Sequence, residues 1–450
     1  MKSISNRPLI HGSVRSIVGN GVGRIGSVAV SIIIAYQYGA NVDTDTFYLI
    51  FAVVTFFLNF FQGTLELAFI PIYSEVSRKN GPEVARFLGS ILLNILLVTA
   101  GIALFIDILV HYFAPFFLPG KTQDLVPLAI RLTWEMSPLI IGVAVSALFF
   151  ALFNAERLFM TAGLMPLFPS LGIIIFVFVF KNVWDVHALS FGLLFGTLLQ
   201  AYVIYLICKK KSFKLEWAIH NPYFHKILRM ASIQGFAIIL FSAMPVIDRM
   251  IVSFFLQEGN VTAVENATRL CQIPWSLATV GYINVFFSWW SHKSGEGDLA
   301  YVNASFKKLF IFSCIVFIPV SLLLFWGAGP IARIVFGYGK YSNDAVIATS
   351  EVFGYYCLGY WAYMLRSTLI RFYSAQQSTH VIVMAAFLDF CVHFLVVFLF
   401  IERMGVATIG IATTIGYSVS VGYIFIHYYK FKNGQVTWLM RAKPGEHFKK

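Results

Sequence analysis

A chain of 450 residues that is 58% hydrophobic and 12% charged, with a mean hydropathy of +0.77, is not a soluble globular protein, which would carry about 25% charged residues. Its formal net charge of +12 does not point to nucleic acid, because the basic residues fall mostly in short segments between apolar runs. The five cysteines (Cys208, Cys271, Cys314, Cys357 and Cys391) lie in apolar runs without CxxC spacing, so neither a disulfide framework nor a metal site is implied.

Residues 1–13 are polar and basic, and a full-length apolar run follows them without a small-residue cleavage site, so no cleavable signal peptide is expected. Hydropathy and helix breakers then divide the chain into about twelve spans of bilayer length. They fall near 14–38, 45–76, 83–112, 123–153, 158–180, 187–208, 224–256, 262–291, 302–326, 343–376, 379–401 and 406–429. Kinks are expected at Pro71, Pro138, Pro166, Pro169, Pro245, Pro274 and Pro319. This predicts an all-α integral membrane protein.

Lys and Arg concentrate in alternate connections: the N-terminus, the segments near 77–86, 157, 209–229, 293–308 and 371, and the tail after 430. The opposite connections hold Lys121, Arg131, Lys181, Arg333, Lys340 and Arg403. Both termini are therefore expected in the cytoplasm, as an even number of spans requires. A shift of 220 residues aligns FNAERLF (153–159) with YSAQQST (373–379), Gly196 with Gly416 and Lys210 with Lys430. Two six-helix lobes follow, residues 1–211 and 212–450, in the same orientation. They form a parallel pseudo-two-fold repeat, an architecture whose substrate sites lie between the halves near the midplane.

Four arginines remain within spans: Arg24, Arg249, Arg269 and Arg366. A charge at mid-span costs about 2.5–3.5 kcal/mol on insertion scales, so such residues face a bundle interior or a wet cavity. GVGRIG (21–26) matches GxGxxG, but no strand precedes it. Its small residues fit close helix contact instead. Asp248 and Arg249 are adjacent and project about 100° apart, so they cannot simply pair with each other. Two readings stand side by side. In one, these groups are structural ion pairs, for example Asp248 with Arg269; in the other, they form a cationic cavity for an anionic headgroup. Glu66 is either a balance for a cavity arginine, a site for a coupling cation, or a structural partner. Asp389 and His393, at i, i+4, fit a hydrogen bond on one helix face. The candidate substrate-binding residues are thus Arg24, Arg269, Arg249, Asp248, Glu66 and Arg366; no catalytic or metal-binding residue and no cofactor is expected.

Several segments resemble the MurJ/MviN family of lipid flippases in the MOP exporter superfamily: residues 23–51, QGTLELAFIPIYSE (62–75), residues 247–282 and LIRFYSAQQST (369–379). The most specific patterns are GA-x-x-x-TD-x-F (39–47), AF-x-P (68–71) and A-x-RL-x-Q-x-P (267–274). The resemblance implies the MOP flippase fold and alternating access. It also implies a V-shaped cationic cavity in which arginines at the positions of Arg24 and Arg269 meet a pyrophosphate. The expected activity is translocation of an undecaprenyl-diphosphate-linked oligosaccharide, a polysaccharide precursor or lipid II, in the bacterial inner membrane. This chain departs from the family pattern at Val30 and Ser31, where a second arginine and an aspartate are usual. It departs again at Phe57 and Leu58, which replace an arginine-rich patch, at Glu66, and in lacking two C-terminal spans. These departures favour an exopolysaccharide or O-antigen precursor over lipid II.

Expected partners are the lipid-linked glycan, membrane lipids and glycan-assembly enzymes, with the protein a monomer driven by a coupling ion or the membrane potential. Two other readings compete. A cation-coupled multidrug or small-molecule exporter of the same superfamily would favour a net acidic cavity. A non-transporting polytopic glycan-assembly protein would need a large external loop.

Overall fold

The computed structural model describes residues 6–77, 81–117, 126–156, 158–211, 213, 215–218, 222–278, 290, 299–375 and 379–432. All its regular structure is helical. The first half contains α1 (Asn6–Tyr38), α2 (Val42–Val76), α3 (Gly81–Phe117), α4 (Val126–Met136), α5 (Pro138–Ala155), α6 (Phe159–Leu164), α7 (Leu167–Trp184) and α8 (His187–Lys210). The second contains α9 (Pro222–Phe255), α10 (Asn260–Ala278), α11 (Leu299–Trp326), α12 (Ala328–Phe336), α13 (Asn343–Leu358), α14 (Tyr360–Ala375), α15 (Thr379–Met404) and α16 (Ala407–Lys432). Of the expected proline kinks, Pro138 and Pro166 separate α4 from α5 and α6 from α7, whereas Pro245, Pro274 and Pro319 lie inside helices.

Nine of the described helical segments are individually long and apolar enough to cross a membrane. Outside that set fall α1, α10, α12, α13 and α14. α1 carries Arg24, and α10 carries Glu265 and Arg269; α13 and α14 are each 16 residues long and meet at Gly359.

The repeat is visible in side-chain packing. In α8, a Cβ on Gly196 would stand 2.4 Å from the Phe168 carbonyl oxygen of α7. In α16, a Cβ on the equivalent Gly416 would stand 2.4 Å from Asp389 Oδ1 of α15. Each half thus closes on a final antiparallel pair, α7–α8 and α15–α16, that glycine lets approach closely.

The apolar core has an uneven shape. At the end away from the termini a single cluster joins both halves, with Ile34, Phe47 and Leu189 from the first and Val252, Val264 and Ile409 from the second. Toward the other end the core divides. Phe69, Phe87, Leu152 and Ile204 pack in the first half, and Trp290, Phe306, Phe372 and Ile424 in the second. The bundle is fused at one end and forked at the other, which is the geometry of a V-shaped cleft. Among the described helices of the second half, α9, packed along α2 (Ile238 lies against Gly63), follows the first half into the fork.

Gly172, whose Cβ would meet the Gly192 carbonyl oxygen at 2.2 Å and the Gly196 nitrogen at 2.5 Å, tests the α7–α8 contact. Gly172→Val is expected to lower stability by about 3 kcal/mol, the upper end of overpacking costs. The check is a reduced melting temperature of the purified protein in detergent.

Candidate functional site

The site is built where α1 meets α10. Three glycines on α1, at positions 19, 23 and 26, lie against α6 and α7. Added Cβ atoms would meet the Met160 carbonyl oxygen at 2.9 Å, the Gly163 carbonyl oxygen at 3.0 Å and Leu167 Cδ1 at 2.9 Å. This small-residue stripe seats α1 backbone-to-backbone on the first half. It also sends Arg24, off the stripe, away from that contact. Arg24 lies fourteen residues before the end of α1 at Tyr38, about 21 Å at 1.5 Å per residue, so it is deep in the bundle.

Arg24 is exposed, and its Nη1 donates to the Gln272 side-chain oxygen of α10 at 2.5 Å. That partner is neutral. Among the described residues no carboxylate pairs with Arg24, so its charge stays uncompensated. Beside it, Tyr363 of α14 stacks on Trp275 at 4.7 Å between ring centroids, and Tyr417 completes the aromatic group.

The two other arginines near α10 are placed differently. Glu265 stands between them: Arg269 Nε donates to its Oε1 at 2.8 Å, while Arg249 Nε donates to its Oε2 at 3.2 Å and Arg249 Nη2 donates to the same oxygen. All three side chains are buried. Arg249 also donates to the Pro245 carbonyl oxygen at 2.7 Å, and Arg269 to the Ser27 carbonyl oxygen of α1 at 3.2 Å. The Arg269 guanidinium lies 5.4 Å from the Tyr48 and Phe51 ring centroids. One carboxylate and two guanidiniums leave the cluster with one net positive charge, beneath the helix that carries Arg24. Arg269 therefore reaches the neighbourhood of Arg24 but holds α1 instead of presenting its fork to a ligand.

The expected pair of Asp248 with Arg269 does not form, because Glu265, four residues before Arg269 on the same face, takes that place. Nor do Asp389 and His393 bond each other. His393 Nε2 lies 2.7 Å from Asp248 Oδ1 across to α9, and Asp389 pairs with Arg366 Nη2 at 3.2 Å. Arg366, held also by Ser420 Oγ at 3.1 Å, is buried within the second half and is not brought to Arg24. Glu66 is exposed on α2, with Asn154 Nδ2 at 3.5 Å. Sequence reasoning missed Glu265 and Gln272; the i, i+4 spacing of Glu265 to Arg269 was the available signal.

The fused end carries a polar latch between the halves. Asp45, in the first turn of α2, accepts the Gly259 N–H at 2.7 Å, the Thr262 N–H at 2.8 Å and the Thr262 hydroxyl at 2.6 Å. It thus caps the N-terminus of α10 from another helix, where a negative charge meets free N–H groups and the positive end of the helix dipole. One further link between the halves lies nearby, where Lys340 N–H donates to the Tyr36 carbonyl oxygen at 3.0 Å; within the first half Lys181 Nζ donates to the Gln37 carbonyl and side-chain oxygens, each at 2.6 Å.

The family model described as lipid II flippase MurJ matches residues 34–442. The chain belongs to the MurJ family. It is 26% identical over 414 residues to a probable lipid II flippase MurJ of Thermotoga maritima, covering 91% of this chain and 83% of that one. A counterpart from Buchnera aphidicola is 28% identical over 391 residues, with 82% and 73% covered. Among solved structures, a lipid II flippase MurJ in an inward closed conformation superimposes with a TM-score of 0.79 at 23% identity, covering 92% of this chain and 87% of that one. An inward-facing MATE-family multidrug resistance transporter of the MOP superfamily gives 0.73 at 12% identity, with 91% and 98% covered. The fold is therefore that of the MOP transporters, an all-helical multi-pass membrane bundle with lipid flippases among its members.

Two predictions follow from these contacts. Glu265→Gln leaves two buried guanidiniums without a counter-charge and is expected to destabilise the protein by about 3–5 kcal/mol, read as a fall in melting temperature. Asp45→Ala removes only a cap, about 0.5–2 kcal/mol. It should loosen the fused end, seen as faster hydrogen exchange at the start of α10.

Proposed function

We propose that this protein flips a polyprenyl-diphosphate-linked glycan precursor across the bacterial cytoplasmic membrane by alternating access, with Arg24 receiving the diphosphate. The observation that carries this reading is the exposed guanidinium of Arg24, with no carboxylate partner among the described residues, at mid-helix where α1 of the first half faces α10 of the second. A diphosphate bears about two negative charges, and a guanidinium fork binds it through charge-assisted hydrogen bonds. The polar head crosses within the cleft while the lipid tail stays in the bilayer, so the sugar never enters hydrocarbon.

The lobes in this cycle are residues 1–211 and 212–450, with both termini cytoplasmic, and the monomer is the working unit. The fork then opens to the cytoplasm, and the Asp45 latch shuts the outer face. The membrane potential supplies about 2.3 kcal/mol per charge moved per 100 mV.

Lipid II is the first candidate substrate, because it is what the relatives' names state. A different diphosphate-linked glycan is the second reading. It is favoured by Val30 and Ser31, both buried on α1 where the family usually carries charge. Reconstituted flipping of lipid II and of an undecaprenyl-diphosphate polysaccharide precursor, run in parallel, decides between them. Movement of neither sinks the proposal. Arg24→Ala should cut flipping about 10- to 100-fold, from the roughly 1.5–3 kcal/mol of a hydrogen bond to a charged group, with an unchanged melting temperature.

A further inference from the structure

The second half meets Arg24 with an aromatic surface whose polar edges are free. On α10, Gln272 and Trp275 are three residues apart and share one face. α10 runs from the fused end toward the fork, so Trp275 stands about 4.5 Å beyond Gln272 along the axis, at 1.5 Å per residue. Tyr360, buried at the start of α14, donates its hydroxyl to the Pro274 carbonyl oxygen at 2.9 Å. That bond fixes the start of α14 against α10. Tyr363, three residues on, then stacks on Trp275 with centroids 4.7 Å apart and rings 17° from parallel. Tyr417 of α16 closes the group, 5.8 Å from Tyr363 and 6.5 Å from Trp275.

Trp275 and Tyr363 stay half-buried, not packed away. Among the described residues Trp275 Nε1, Tyr363 Oη and the Gln272 amino group have no hydrogen-bond partner, while the Gln272 side-chain oxygen is taken by Arg24. A π surface edged by unpaired N–H and O–H groups matches a pyranose. The C–H face of the sugar rests where the ring quadrupole is negative, and its hydroxyls find donors and acceptors at the edge. A lipid chain in the same place would leave those polar groups unpaired, which is costly. Aromatic groups also hold cations. Here the charge of Arg24 stands beside them and repels a cation, and Asp389, the carboxylate near Tyr417, is already bound to Arg366.

We infer that the Trp275–Tyr363 pair is a sugar subsite, which receives the pyranose attached directly to the diphosphate held by Arg24. Gln272 joins the two subsites, its oxygen bound to Arg24 and its amino group left to donate to the sugar. Recognition of the head is thereby divided between the halves. α1 of the first half reads the charge, and α10 and α14 of the second read the sugar. A polyprenyl diphosphate without its glycan engages one half, whereas the glycosylated lipid engages both. The pair therefore selects the loaded lipid over the bare carrier, which shares its diphosphate and its tail. Because the contact is to a ring face, it selects for the presence of the first sugar and is indifferent to the sugars beyond it.

This inference rests on the flippase reading, and its test separates the two. The full chain in nanodiscs is exposed to hydroxyl radicals in the presence of undecaprenyl diphosphate, lipid II or an undecaprenyl-diphosphate polysaccharide precursor. Oxidation of Trp275 and Tyr363 is then read by peptide mass spectrometry. At least one glycan lipid should protect both rings, and undecaprenyl diphosphate should protect neither. Equal protection by glycan lipid and bare diphosphate, or no protection at all, overturns the inference. Affinities from native mass spectrometry supply the second arm. Trp275→Leu should weaken binding of the protecting glycan lipid about 3- to 10-fold, the range of an aromatic stacking contact, and leave undecaprenyl diphosphate unchanged. Trp275→Phe should recover most of that loss, and Arg24→Ala should weaken both lipids alike. If Trp275→Leu weakens both lipids equally, or neither, Trp275 is structural and the subsite falls. Where that variant does not fold, the wild-type protection pattern decides alone. Movement of a glycan lipid without protection at Trp275 overturns this inference and leaves the flippase reading; protection without movement of either glycan lipid does the reverse.

Discussion

One carboxylate shared by two guanidiniums organises the interior of this bundle. Glu265 bonds Arg249 of α9 and Arg269 of its own helix, and Arg269 passes the constraint on to the backbone of α1 at Ser27. Removing Glu265 strands two buried charges, so α9, α10 and α1 are held to one another far more strictly than apolar contact alone would require. The surplus positive charge of the cluster lies below Arg24 and raises the potential felt by an anion there. In the proposed reading Arg24 supplies the direct contact, and the triad supplies the field and the alignment.

The forked core explains how such an assembly can move. A close-packed interior does not deform continuously, and it switches between discrete arrangements. Here the packing is already divided along the line of motion: one cluster holds the halves at the fused end, and separate clusters keep each half rigid in the fork. The glycine stripe of α1 against α6 and α7 makes Arg24 part of the first half's rigid body, whereas Gln272, Trp275 and Tyr363 belong to the second. A headgroup bound at the proposed site would therefore be held by both bodies at once.

The all-helical membrane fold class was readable from hydropathy, because each span is a local signal; nine of the described helical segments meet the length and apolarity of a span, against the twelve expected. The site was readable only in part. Arg24, Arg269, Asp248 and Arg249 stand out as charges in apolar runs, and they all do lie inside the bundle. Apart from Glu265, four residues before Arg269, their partners did not follow from spacing. Asp389 and His393 look paired at i, i+4, yet each turns to another helix, because α9 and α14 bring Asp248 and Arg366 within reach only after packing. Glu265 escaped because it sits in NVTAVENATRL, a stretch polar enough to resemble the end of a span, although in the structure it is 7% exposed. Pairings that depend on the register between helices are tertiary facts, and one chain read alone does not contain them.

The Asp45 cap has a further consequence. While the halves are closed at that end, the first turn of α10 takes its hydrogen bonds from another helix, and parting the halves leaves those amides to find water. The resting protein is therefore biased toward one posture without any ligand. In the proposed topology that posture seals the side facing the environment, so idle copies keep the membrane tight to ions and small solutes.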